Sequence, residues 1–261
     1  MKKLSELNLK DKKYIIFDMD GTLIDSIGVW NQTDQRLIKE YGGVHVDLDE
    51  VQRLRDGFLH GNQDTDIYLS FCEYLINKYN LSIKDPKKLL DIRWAKSGEI
   101  LENEMDFKSG VVDLLLRLKE LGFILVLATM TTQVQLDIYT KKNKKMLNQI
   151  NINDVFDLVT RKEDVKNKKP DPEIYNMIMK YYGANPDECL IFEDSYTGVL
   201  AGNQAGVEVV NIYDKYADLD RDKIDELTDY KINNFHEFLD LVNKLYSKKE
   251  YEKEKSKAKI R

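Results

Sequence analysis

Cysteine, histidine and proline are scarce in this chain of 261 residues, with two, three and four copies. The two cysteines, Cys72 and Cys189, stand in apolar surroundings and match no metal or redox spacing. They build no disulfide framework and are expected to be reduced core residues of a cytoplasmic protein. The three histidines, His45, His60 and His236, are too widely spaced for a zinc site. No run approaches the roughly 18 apolar residues of a membrane span. The opening "MKKLSELNLKDKK" lacks the apolar stretch of a secretory signal, so neither export nor a membrane partner is expected. A basic excess is also missing: 40 Lys and Arg face 46 Asp and Glu, for a net charge of −6 and a pI near 5.3. Nucleic acid is therefore not an expected partner, because binding a phosphate backbone needs a basic surface.

What is present is 42% hydrophobic and 33% charged residues, enough for one large or two smaller soluble domains. Tyr14-Ile15-Ile16-Phe17 reads as a first strand. From Val29 to Met105 the text is helical. Tyr68, Phe71, Cys72, Leu75, Ile76 and Tyr79 form one helix stripe, and Asp85 with Pro86 predicts the cap and first turn of another helix. This block, 29–105, is expected to be a small helical bundle inserted into a core made of 1–28 and 106–246.

The pattern changes from Phe107. Val111, Leu114, Leu115 and Leu118 predict a helix that stops at Gly122. "FILVLAT" (123–129) predicts a strand buried on both faces. A helix near 132–149, a short strand near 156–160, a helix over 172–182, the strand "CLIF" (189–192), a helix over 196–205 and the strand "VEVVNI" (207–212) come next. Strands alternating with helices imply an α/β fold with a doubly wound parallel sheet. Gly198, Gly202 and Gly206 are read as close helix–sheet packing. A last helix is expected near 234–246, and the mixed-charge tail 247–261 is expected to be flexible.

In parallel sheets ligands bind beyond the carboxyl ends of the strands, and the polar clusters of this chain fall there. Asp18 and Asp20 in "FDMDGTLIDS" follow the first strand, Thr129 in "LATMTT" the second, and Glu193 and Asp194 in "FEDSYTGVLAG" follow "CLIF". Lys169 lies in "NKKPDPEIY". Taken singly, each has an ordinary reading: a capped turn, a strand-end hydroxyl, a surface lysine, or acids placed at a helix start by its dipole.

Together, in this order, the four patches resemble the haloacid dehalogenase (HAD) superfamily over roughly residues 14–240. The resemblance implies a Rossmann-like core and a phosphatase or phosphomutase. Asp18 would attack phosphorus and form an acyl phosphate. Asp20 would protonate the leaving oxygen and then deprotonate water. Thr129 would hydrogen-bond a phosphoryl oxygen, and Lys169 would neutralise charge on the nucleophile and phosphate. Mg²⁺ would be the cofactor. Its implied ligands are the carboxylates of Asp18 and Asp194 and the backbone carbonyl of Asp20, with Glu193 reaching it through water.

Dehalogenases of this superfamily lack an aspartate two residues after the nucleophile, so Asp20 points to phosphoester chemistry. The insert resembles the C1-type α-helical cap of subfamily I, in the branch that holds β-phosphoglucomutases and phosphatases, with hinges near 25–31 and 103–110. The mutases carry a histidine ten residues after the second aspartate, where this chain has Trp30. The expected activity is therefore hydrolysis of a small phosphorylated metabolite, a sugar or polyol phosphate. A hexose-phosphate mutase, a phosphonatase-type enzyme and a binding protein on the same scaffold are the alternatives. Trp30 is open between cap core and substrate contact. In "RLRDGFLHGNQDTD" (53–66) Arg55, His60, Asn62 and Gln63 are open between substrate contact and solvated loop. By analogy the assembly is a monomer or weak dimer.

Overall fold

The computed structural model describes residues 2–59 and 66–247. The tail expected from 247 onward lies, after its first residue, outside the described residues. The chain divides into two compact units, one formed by Met1–Asp25 with Asp106–Arg261 and the other by Ser26–Met105.

The first unit is built on six parallel strands: β1 Tyr14–Phe17, β2 Ile124–Ala128, β3 Leu158–Thr160, β4 Cys189–Glu193, β5 Glu208–Ile212 and β6 Tyr230–Ile232. Their order across the sheet is β3-β2-β1-β4-β5-β6. Every residue of β1 and β4 is buried, as an apolar run covered on both faces requires. Phe17 stacks on Phe192 with ring centroids 4.7 Å apart, and Phe238 meets Phe192 edge-on at 4.8 Å. Successive strands run outward from β1 in one direction and from β4 in the other. The winding therefore reverses between β1 and β4, and the carboxyl ends at such a reversal are where parallel sheets bind ligands. Asp18 follows β1, and Glu193 ends β4.

The second unit is helical: α1 Gly28–Gly42, α2 Leu48–Leu59, α3 Ile67–Tyr79 and α4 Pro86–Asn103. Asp85 caps α4 by accepting from Lys87 N at 2.9 Å. Leu37, Val51, Phe71, Cys72, Leu75 and Leu89 form its apolar centre. Beside that centre Asp34, fully buried, accepts from Arg93 Nε at 2.6 Å and Arg55 Nη1 at 2.9 Å.

The remaining helices of the first unit are α5 Val111–Glu120, α6 Gln133–Asp137, α7 Lys144–Leu147, α8 Ile152–Val155, α9 Glu173–Tyr182, α10 Tyr196–Gln204, α11 Arg221–Leu227 and α12 Phe235–Leu245. On one face of the sheet Ile174, Tyr175 and Ile178 of α9 pack with Ile16, Val126, Ile191 and Val209. Each fully buried side chain of this size contributes about 1.5–3 kcal/mol.

Three expectations need correction. The single helix near 132–149 is broken: after α6 the chain makes a π-helical turn at Ile138–Lys142, and α7 starts afresh. Buried Asn143 is extended at this break and accepts from Met146 N at 3.0 Å, so a side-chain cap replaces the continuing helix bond. The sheet also gains β6 and the helix before it, because a three-residue edge strand carries too little periodicity to stand out. Gly206 does not pack closely. It has φ +74 with only Pro186 nearby at 3.9 Å, and it turns the chain into β5.

Candidate active site

Asp18 leaves β1 with its backbone still held by the sheet, Asp18 N donating to Phe192 O at 3.0 Å. Lys169 comes from the loop before α9. That loop is pinned by Glu173, whose carboxylate accepts from Lys166 N and Asn167 N at 3.0 and 2.8 Å. The pinned loop turns Lys169 inward, and its side chain is only 4% exposed. Its ammonium donates to Asp18 Oδ1 at 2.7 Å, Glu193 Oε1 at 2.6 Å and Ala128 O at 3.0 Å. The Tyr175 ring lies 5.2 Å from the same nitrogen, and its hydroxyl donates to Glu193 Oε1 at 3.3 Å.

The Glu193 carboxylate is used on both sides. Oε2 accepts from the backbone N–H groups of Asp194 and Ser195 and from Ser195 Oγ, at 3.0, 3.3 and 3.2 Å. Asp194 Oδ1 accepts from Thr22 Oγ1 at 2.7 Å. Below them Asn211 donates to the backbone carbonyls of Glu193 and Asp194 at 2.9 and 3.3 Å. Gly21 has φ +88, and a Cβ there would overlap the Asp194 carboxylate. No other residue type suits both the backbone conformation and the approach.

Thr129 N donates to Thr160 O at 3.0 Å, which fixes the end of β2. Its hydroxyl donates to Thr131 Oγ1 at 2.9 Å, and Thr131 Oγ1 donates in turn to Asp20 Oδ2. The Tyr139 hydroxyl donates to Asp20 Oδ1 at 3.2 Å. All six residues expected of the core motifs, Asp18, Asp20, Thr129, Lys169, Glu193 and Asp194, thus fall at one end of the sheet.

The charge is unbalanced. Carboxylate oxygens of Asp18, Glu193 and Asp194 lie within 4.8 Å of one another, all buried. Ionised together, three carboxylates against one ammonium would leave an excess of two negative charges. Burial pushes the Asp18 carboxyl up to about 7, against the pull of Lys169 and with Glu193 and Asp20 adding to it. Asp194 is pushed well above the usual carboxylate range by burial and by Glu193 and Asp18. Burial disfavours charge on Lys169, but Asp18 and Glu193 outweigh it and hold the ammonium well above the ordinary lysine range.

A hard divalent cation suits this donor set, which is oxygen only and short of positive charge. With both Glu193 oxygens engaged, Asp18 and Asp194 are the carboxylates with an oxygen to offer. Gly21 lets the Asp194 carboxylate lie against the backbone, where a Cβ would overlap it.

The residues proposed for substrate contact fare differently. Arg55 is on α2, not in a loop, and its Nη1 is taken by Asp34. Trp30 packs edge-on against Trp94 at 5.1 Å, and the Arg93 guanidinium covers its face at 4.7 Å. His60, Asn62 and Gln63 lie outside the described residues. Thr131, Tyr139, Tyr175 and Asn211 were not foreseen. Thr131 stands two residues from Thr129 and could have been found. Tyr139 and Asn211 carry no sequence signal, because only the fold brings them to the site.

Gly198 and Gly202 do mark close packing. A Cβ at Gly202 would come within 2.7 Å of Val209, while one at Gly198 would overlap the Glu193 carboxylate. The second of these serves the site, not only the sheet.

The sequence profile of the haloacid dehalogenase-like hydrolases matches residues 15–212. The phosphorylated carbohydrates phosphatase of Thermotoga maritima is 27% identical over 194 residues, spanning 74% of this chain and 82% of that protein. Hexitol phosphatase B of Escherichia coli K12 is 26% identical over 191 residues, spanning 73% and 78%. Among solved structures, a HAD family hydrolase from Deinococcus radiodurans with bound phosphate and sodium superimposes with a TM-score of 0.68 at 20% identity. It covers 90% of this chain and 96% of its own. At that identity the likeness bears on the fold alone.

Proposed function

The chain belongs to the haloacid dehalogenase-like hydrolase family, and on that footing we propose that it is a magnesium-dependent phosphatase. Its substrate is a small phosphorylated metabolite, a sugar or polyol phosphate, and it works through a phosphorylated Asp18. The observation that carries this reading is the position of Lys169. Its ammonium bridges Asp18 and Glu193 at 2.7 and 2.6 Å, where the sheet reverses its winding. A nucleophilic carboxylate held by a buried cation is what attack on a phosphate dianion requires.

In the proposed reaction an Asp18 oxygen bonds to phosphorus while the bond to the ester oxygen breaks. Asp20 gives that oxygen its proton. Asp20 then takes a proton from the water that displaces Asp18, releasing inorganic phosphate. The Thr129 hydroxyl turns its one proton from Thr131 to a phosphoryl oxygen while still accepting from Thr131 N, and Lys169 offsets charge on the nucleophile and phosphate. The carboxylates of Asp18 and Asp194 and the Asp20 carbonyl would hold a magnesium ion, which would supply the positive charge that lets the dianion approach. Glu193 keeps Lys169 and the Asp194 backbone in place.

Sugar and polyol phosphates are favoured by the relatives named as phosphatases of phosphorylated carbohydrates and of hexitol phosphates. The helical unit is read as the cap that selects the substrate. Water is favoured as the acceptor because Trp30 has no basic nitrogen, unlike the histidine at that place in the mutases.

The test is a phosphate-release screen over sugar and polyol phosphates, nucleotides, phosphoglycolate and pyrophosphate. It runs with Mg²⁺ and with excess EDTA, beside Asp18→Asn. Release from a sugar or polyol phosphate is expected only with metal and only from wild type. Wild-type turnover by Asp18→Asn sinks the nucleophile. Isomer without phosphate after adding a bisphosphate activator makes the protein a mutase.

A further inference from the structure

Asp20 is held by two side chains that the proposed reaction does not use. Thr131 Oγ1 donates to its Oδ2, and the Tyr139 hydroxyl donates to its Oδ1 at 3.2 Å. Tyr139 is only 2% exposed. It is carried on the π-helical turn Ile138–Lys142, which interrupts the helix between α6 and α7. The wider turn rotates the downstream residues relative to an unbroken α-helix, and such turns recur at functional sites.

We propose that Tyr139 is a positioning residue for proton transfer by Asp20, and this rests on the acid–base role assigned to Asp20 under the proposed function. A general acid must lie within hydrogen-bond reach of the oxygen it protonates. An aspartate side chain that follows a strand end can rotate away from that direction. Here each carboxyl oxygen is held by a different hydroxyl, which selects one rotamer. The grip is anchored on the phosphoryl seat, because Thr131 both accepts from the Thr129 hydroxyl at 2.9 Å and donates its N–H to it at 3.0 Å. Thr129, Thr131, Asp20 and Tyr139 thus form one connected line from the proposed phosphoryl contact to the acid. Phenylalanine would fill the same buried space. The hydroxyl of Tyr139 adds the bond to Asp20.

The test separates positioning from packing by the leaving group. An alkyl phosphate needs a proton on its departing oxygen, whereas p-nitrophenol leaves without one. Wild type, Tyr139→Phe and Asp20→Asn, each full length and with Mg²⁺, are compared in the first turnover on both kinds of ester. Later turnovers are set aside because water activation also uses Asp20. Tyr139→Phe is expected to cleave the alkyl phosphate about fivefold more slowly, the worth of one hydrogen bond. Its nitrophenol burst stays within about twofold of wild type, on the same scale of effects. Asp20→Asn shows the same split more strongly. Equal losses on both esters, or none on the alkyl ester, overturn the role of Tyr139 while the Asp20 split stands. If Asp20→Asn shows no split, the acid–base assignment falls and the role of Tyr139 falls with it.

Discussion

Gly198 in the first turn of α10 faces the Glu193 carboxylate so closely that a Cβ on it would overlap the acid. The glycine is therefore part of what holds Glu193 against Lys169. A buried, fully hydrogen-bonded carboxylate has no free direction in which to retreat.

Gly198→Ala should lower stability by about 1–3 kcal/mol, the usual cost of overpacking. It should also reduce phosphatase activity at least tenfold, by shifting the Lys169–Glu193 pair. Gly98→Ala in α4 is the control. A Cβ there meets nothing within 4 Å, so the better helix former should add about 0.5–1 kcal/mol. Urea denaturation of both variants checks the contrast.

Asp18→Asn should abolish turnover yet raise the melting temperature of the metal-free protein. The Asp18 carboxyl is pushed from an ordinary 3.8 up to about 7, so between those values the folded state holds a proton that the unfolded state has lost. Stability then falls as pH rises through this window and levels off above it. The variant lacks this slope, so its advantage in EDTA should be larger near pH 8 than near pH 5. A rise of roughly 3–6 °C at the higher pH corresponds to one or two kcal/mol in a protein of this size. Mg²⁺ should narrow the gap by stabilising wild type. A melting temperature at or below wild type in EDTA near pH 8 counts against the crowding of carboxylates.

Asp34 and Arg93 are both essentially inaccessible, and Arg55 shares the same carboxylate. Asp34→Asn leaves two guanidinium groups buried without an anion. It should cost about 3–5 kcal/mol, as broken buried pairs do. Arg55→Met, which leaves the Asp34–Arg93 pair intact, should cost less. Denaturation curves that rank the two the other way would contradict this arrangement.

Burial opposes ionisation of Glu208, but hydrogen bonds from Lys12 and Lys2 outweigh it and hold the carboxyl down at about 2. Its contribution is complete above the ordinary value of 4.5 and is lost as pH falls toward 2. With the side chain 30% exposed, solvent screening reduces the effect to about 1 kcal/mol. Glu208→Gln should therefore destabilise the protein at neutral pH and converge with wild type in acid, as thermal melts across that range will show.

The chain order alone determined the parallel sheet and the four motifs. Continuous apolar runs buried on both faces are a local demand, whereas the four motifs are legible only together, since each alone has an ordinary reading. The cap and first turn of α4 were equally legible, because Asp85 and Pro86 act on their own backbone. Contacts between distant segments were decided by the tertiary structure. Asn143 broke the expected helix because its side chain caps the next one, and Arg55 meets Asp34, 21 residues earlier, only through the fold. Gly198 and Gly206 look alike in sequence, yet one faces a buried carboxylate and the other turns the chain. Tyr139 reaches Asp20 across 119 positions of sequence. A hydrogen bond over that separation leaves no periodicity or spacing to read. It exists because β1 and β2 are neighbours and the segment after β2 carries the phenol to the acid.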